Sequence, residues 1–182
     1  KIRRRGAFIA VGLVVLFFSL FRFDDRGGAF EPSFAFRWTP TRQEIAAKYW
    51  SEQAALPPAR LSVDDARSDD GELNPASDWP EFRGPLRDGI VRDGSLKSAS
   101  EKSPPRQIWR HPIGGGMGSF AVVGRRAVTL EQRGEDEAVA CYDFDTGREL
   151  WSRRAPGHYN NFAAGEGPRS TPTVAGNRVY VL

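Results

Sequence analysis

The feature that most constrains this chain is a repeat of short apolar runs punctuated by turn residues in its second half. Val123-Gly124-Arg125-Arg126-Ala127-Val128-Thr129-Leu130 matches Ala175-Gly176-Asn177-Arg178-Val179-Tyr180-Val181-Leu182 at an offset of 52 residues, and Ile108-Trp109-Arg110 matches Leu150-Trp151-Ser152 at an offset of 42. The ten-residue difference falls in a longer loop after Trp151, from Pro156 to Gly167. The runs are four to six residues long, too short for helices and separated by Gly, Asp and Pro. Strands are expected at Ser119–Val123, Ala127–Glu131, Ala138–Tyr142 and Arg148–Trp151. Gly124-Arg125 fits a two-residue hairpin with Gly first. Gln132–Glu137 reads as a polar loop, and Asp143–Gly147 as a turn in which Asp caps and Gly takes a positive φ. Self-similarity at this period marks a stack of β units.

Composition narrows the chemistry. A single cysteine, Cys141, excludes an internal disulfide framework, and two histidines, His111 and His158, leave little for a His-based metal site. The formal charge of +3 belongs to the N-terminus: residues 24–182 hold 21 basic and 23 acidic side chains. That balance gives no basic face for nucleic acid.

Ala7–Phe21 is an uncharged run of 15 residues, preceded by Lys1, Arg3, Arg4 and Arg5 and followed by Arg22. The expectation is a single transmembrane anchor over 1–23, a short one, with the basic cluster kept cytoplasmic. A cleaved signal peptide is the rival; both would export the remainder to the periplasm or exterior. Residues 24–77 read as a periplasmic linker with one short helix near 41–54, opened by the capping box Thr41-x-x-Glu44 and ended by Pro57-Pro58. Residues 78–182 read as the β repeat, and the run ending at Leu182 suggests a fragment of a longer chain.

Cys141-Tyr142-Asp143-Phe144-Asp145-Thr146-Gly147-Arg148-Glu149-Leu150-Trp151 resembles the tryptophan-docking repeat of pyrroloquinoline-quinone-like (PQQ-like) β-propellers. Asp143, Thr146, Gly147 and Trp151 match that pattern, and Cys141 stands at its usual Ala. Trp79-Pro80-Glu81-Phe82-Arg83-Gly84-Pro85 resembles the segment that precedes such propellers. The resemblance covers Trp79 to Leu182. It implies an all-β propeller with about one to one and a third blades present, Trp109 and Trp151 docking between blades. One such unit alone is expected to be poorly stable.

The family includes both scaffolds similar to the outer-membrane assembly protein BamB and quinone enzymes. The expected function is accordingly a membrane-anchored, exported scaffold or interaction module with envelope proteins as partners and no identifiable catalytic residue or cofactor. The alternative is a PQQ- and calcium-dependent alcohol or sugar dehydrogenase. No vicinal Cys pair is present, Asp143 and Asp145 read as turn residues, and Gly114–Gly118 lacks the Lys-Ser/Thr of a phosphate loop. The residues left for a cofactor carboxylate are Gln132, Arg133 and Arg169.

Overall fold

The computed structural model describes residues 2–25, 32–57, 73–74, 77–92, 104–161 and 165–182. Two helices and ten strands follow one another: α1 (Ile2–Leu20), β1 (Phe21–Asp25), β2 (Pro32–Phe36), α2 (Arg42–Ala54), β3 (Ala121–Val123), β4 (Arg126–Arg133), β5 (Asp136–Asp143), β6 (Glu149–Pro156), β7 (Asn160–Asn161), β8 (Gly165–Glu166), β9 (Thr173–Ala175) and β10 (Arg178–Tyr180). Every strand pair is antiparallel.

The centre is the four-stranded meander β3-β4-β5-β6. Val123 pairs with Arg126 across Gly124-Arg125, as the sequence predicts for a two-residue hairpin. The expected loop over Gln132–Glu137 is instead a tight turn: Arg133 pairs with Asp136, and both strands run on to meet at Gly134-Glu135. Polarity misled the reading there, because Gln132 and Arg133 are polar residues inside a buried strand. The fourth strand is likewise longer than expected, reaching Pro156. Between Cys141↔Trp151 and Tyr142↔Glu149 the register slips, so Leu150 is an extra residue. Such a bulge turns the side chain beyond it onto the other face.

Around this sheet lie two-stranded ribbons, β1-β2, β7-β8 and β9-β10. The all-β propeller expectation is therefore corrected: the described residues form small antiparallel sheets with two helices, and no ring closes. The transmembrane anchor is corrected with it, since among the described residues no helix is long and apolar enough to cross a membrane. Arg3, Arg4 and Arg5 fall inside α1. The uncharged remainder, Gly6–Leu20, spans only about 22 Å at ~1.5 Å per residue against a core of about 30 Å. Single-pass placement in the inner membrane falls for the same reason. The stretch after the apolar run is also not all linker. β1 and β2 pair over Phe21–Asp25 and Pro32–Phe36, and Phe21, Phe36 and Trp38 stack in series at 4.6 and 4.7 Å. The part of the 24–77 linker that follows the short helix lies mostly outside the described residues.

The repeat has a spatial counterpart. The backbone N–H of Ser119 donates to Thr171 Oγ1, 52 residues on, at 2.9 Å. Met117 N–H donates to the carbonyl of Pro168 at 2.9 Å. Gly115 and Gly167, again 52 apart, meet backbone to backbone: a Cβ on Gly167 would lie 2.2 Å from the Gly115 carbonyl oxygen, and Gly167 holds φ at +95°. Equivalent positions of the two units thus run side by side. The segment with Trp79 joins them, bridging Val122 on β3 with paired bonds of 2.7 and 2.8 Å and offering the Pro80 carbonyl to Val174 on β9. Gly167→Ala should lower stability by about 2 kcal/mol, the scale of a strained backbone plus a displaced strand. A urea midpoint unchanged from that of the parent chain would contradict the close approach.

Candidate functional site

The Asp143 turn is built as the sequence indicates. Asp143 Oδ1 accepts from the Thr146 amide at 2.8 Å and the Thr146 hydroxyl at 2.7 Å, while Gly147 N–H returns to the Asp143 carbonyl at 2.8 Å. Arg125 pairs with Asp145 at 2.9 Å across the neighbouring hairpin. Trp109 docks here. Its indole N–H donates to the Phe144 carbonyl at 2.7 Å, and its ring covers Gly147, where a Cβ would lie 2.5 Å from the ring. Gly147 is required twice, by φ of +70° and by this ring. Trp151, the counterpart of Trp109, pairs with Cys141 but donates no indole hydrogen bond among the described residues.

The candidate cofactor residues are not assembled as a ligand site. Arg133 is 5% exposed and closed in. Its Nε donates to Glu131 Oε1 at 2.9 Å, its Nη2 bonds Glu131 as well and reaches Glu149 Oε2 at 2.8 Å, and its Nη1 lies 3.3 Å from Ser152 Oγ. Glu131, wholly buried, also accepts from the Tyr142 hydroxyl at 2.8 Å and, at its second oxygen, from Gly114 N–H at 2.7 Å. The bulge at Leu150 explains how Glu149 joins a cluster on the face of Tyr142. Burial works against the Arg133 charge, but Glu149 and Glu131 outweigh it and hold the guanidinium above its ordinary pKa. Burial, then the Glu131 charge, pushes the Tyr142 phenol up, so it stays a donor.

Helix α2 covers this cluster. The Thr41–Glu44 capping box forms, with Thr41 Oγ1 accepting from Glu44 N–H at 3.0 Å. The inward face is Ala46, buried, with Tyr49, Trp50 and Gln53 half-buried beside it, while Ile45 is exposed. The Arg133 guanidinium sits 4.7 Å from the centre of the Trp50 ring, Tyr49 stacks on His111 at 4.9 Å, and Gln43 donates to Glu166. A guanidinium over indole adds about 1 kcal/mol or more when desolvated. A lone helix of this length is marginal, so these contacts hold it.

The remaining candidates have other roles. Gln132 Nε2 lies 2.8 to 3.0 Å from the carbonyls of Gly134, Asp136 and Gly157, its two N–H groups shared among them, and so clamps the β4-β5 turn. Arg169 is exposed, its guanidinium 5.0 Å from the Tyr159 ring. His158 faces Glu135 and Glu166 at 3.5 and 3.3 Å. Cys141 is fully buried, and burial pushes its thiol up to about 12. Among the described residues no group of three or more His, Cys, Asp or Glu is placed to hold a metal ion. Arg133 is already engaged by two carboxylates, so its guanidinium offers no open pair of donors to the carboxylate of a cofactor. Glu131 and Glu149 were not singled out from the sequence; the signal was the Glu131-x-Arg133 spacing on one strand face, whereas Tyr49 and Trp50 were legible as helically spaced residues of the capped helix. Compared with known proteins, the chain matches no family model, no curated protein and no solved structure.

Two outcomes follow. Arg133→Met leaves Glu131 buried and unpaired and should cost about 3–5 kcal/mol, whereas Arg133→Met with Glu131→Leu should recover at least half of it in urea unfolding. Cys141 should resist iodoacetamide near pH 8 in the folded protein and react once urea exposes it, because the thiolate is the nucleophile; equal labelling in both states would contradict its burial.

Proposed function

We propose that this chain is a protein-interaction module built on a short β repeat. The observation that carries the reading is the closed Glu131–Arg133–Tyr142–Glu149 network under Trp50. The groups best suited to chemistry are spent on holding three strands and a helix together. The Asp143–Gly147 turn and Trp109 serve the same end, in keeping with the resemblance to a docking repeat. What stays accessible is sheet edge and aromatic surface, which bind chains rather than transform small molecules.

The test is a thermal titration of the full chain with PQQ and calcium chloride. A ligand specific to the folded state raises Tm. The expected shift is below about 1 °C, with no quinone absorbance retained after gel filtration; a saturable rise of about 5 °C would restore the dehydrogenase reading.

A further inference from the structure

β6 closes the four-stranded sheet, and among the described residues no strand pairs with its far side. A strand bonded on one side leaves alternate N–H and C=O groups pointing outward, a template for another chain. From Arg153 to Pro156 the side chains are exposed as well. Charge then selects the occupant. Arg87, Arg92, Arg125 and Arg133 each pair with a carboxylate. Arg153 and Arg154, on the open strand, form no ion pair among the described residues; Arg153 Nη1 only folds back onto the Ser152 carbonyl at 2.9 Å. Successive strand residues point to opposite faces, so the strand carries one uncompensated cation on each face. A second copy is disfavoured, because the exposed half of its β6 would bring two more arginines and no carboxylate to the same edge. Pro156, without an N–H, marks the end of the usable edge.

We infer that the outer edge of β6 takes up an extended acidic segment of a partner protein as a fifth strand, with adjacent carboxylates meeting Arg153 and Arg154 on the two faces. This rests on the interaction-module reading and names its partner chemistry. Backbone bonds along the edge supply the affinity and the two arginines the selectivity.

The probe is a fluorescein-labelled peptide of about eight residues, Val and Thr flanking a central Glu-Asp pair, titrated into the full chain and read by anisotropy. Binding is expected at a Kd on the order of 10–100 μM. Arg153→Glu with Arg154→Glu, both exposed and in no ion pair among the described residues, should weaken it at least about tenfold without moving Tm. A second peptide of the same charge, N-methylated on the residues that face the edge, should bind at least about tenfold worse, because it cannot form the ladder. Equal affinity for the two peptides reduces the effect to charge alone and overturns the strand addition. No binding at about 1 mM overturns it too, as does sedimentation showing a dimer that the double variant dissolves. Those failures leave the interaction-module reading standing, since that reading fails only on the cofactor titration.

Discussion

A guanidinium removed from water is the constraint around which the centre of this structure is arranged. Arg133 lies near the end of β4, in a strand where every residue from Ala127 onward is buried. An ion in that position must be matched by charge and by hydrogen bonds in fixed directions. The match is drawn from four places: Glu131 on its own strand, Tyr142 on β5, Glu149 and Ser152 on β6, and Trp50 on α2. Through Glu131 the cluster also fixes Gly114, and so the backbone that leads into β3. Among the described residues the buried apolar set is small: Ala46 on α2, and Ala121, Ala127, Val128, Leu130, Ala138, Ala140, Cys141 and Tyr142 in the sheet. Alanines bury little surface at about 25 cal/mol per Å². The polar cluster therefore decides which helix, and which bulge, the sheet accepts.

The docking of Trp109 is the second point of order. One indole satisfies its N–H on the turn and shields a glycine that no other residue could replace. Its neighbour His111 stacks at 5.5 Å and carries Tyr49 on its other contact. The Asp143 turn, the Trp109 segment and α2 are consequently one layered assembly, although 35 residues separate Trp109 from Phe144.

What could be read in the sequence was what local chemistry dictates. The hairpin at Gly124, the turn at Asp143 and the start of α2 at Thr41 each depend on residues within four positions of one another, and each was legible. The reach of β4 to Arg133 was not, because its polar residues gain burial only from partners on other strands. The bulge at Leu150 left no mark in composition or spacing, so the placing of Glu149 was hidden, and with it the fate of Arg133 as a ligand candidate. The apolar run at the N-terminus was legible as a helix, but three residues of that helix are arginines, and its uncharged remainder is too short to span a bilayer.

The seam between the two units has a consequence for how such a chain can grow. Ser119 meets Thr171 and Gly115 meets Gly167, so each unit presents to its neighbour the same positions that it receives. A duplicated unit would arrive with its contact surface already matched, and lengthening the array would require no newly invented interface. The same economy has a penalty. A larger side chain at Gly115 or Gly167 would be felt on both sides of the seam at once, because each glycine lies against the backbone of the other unit.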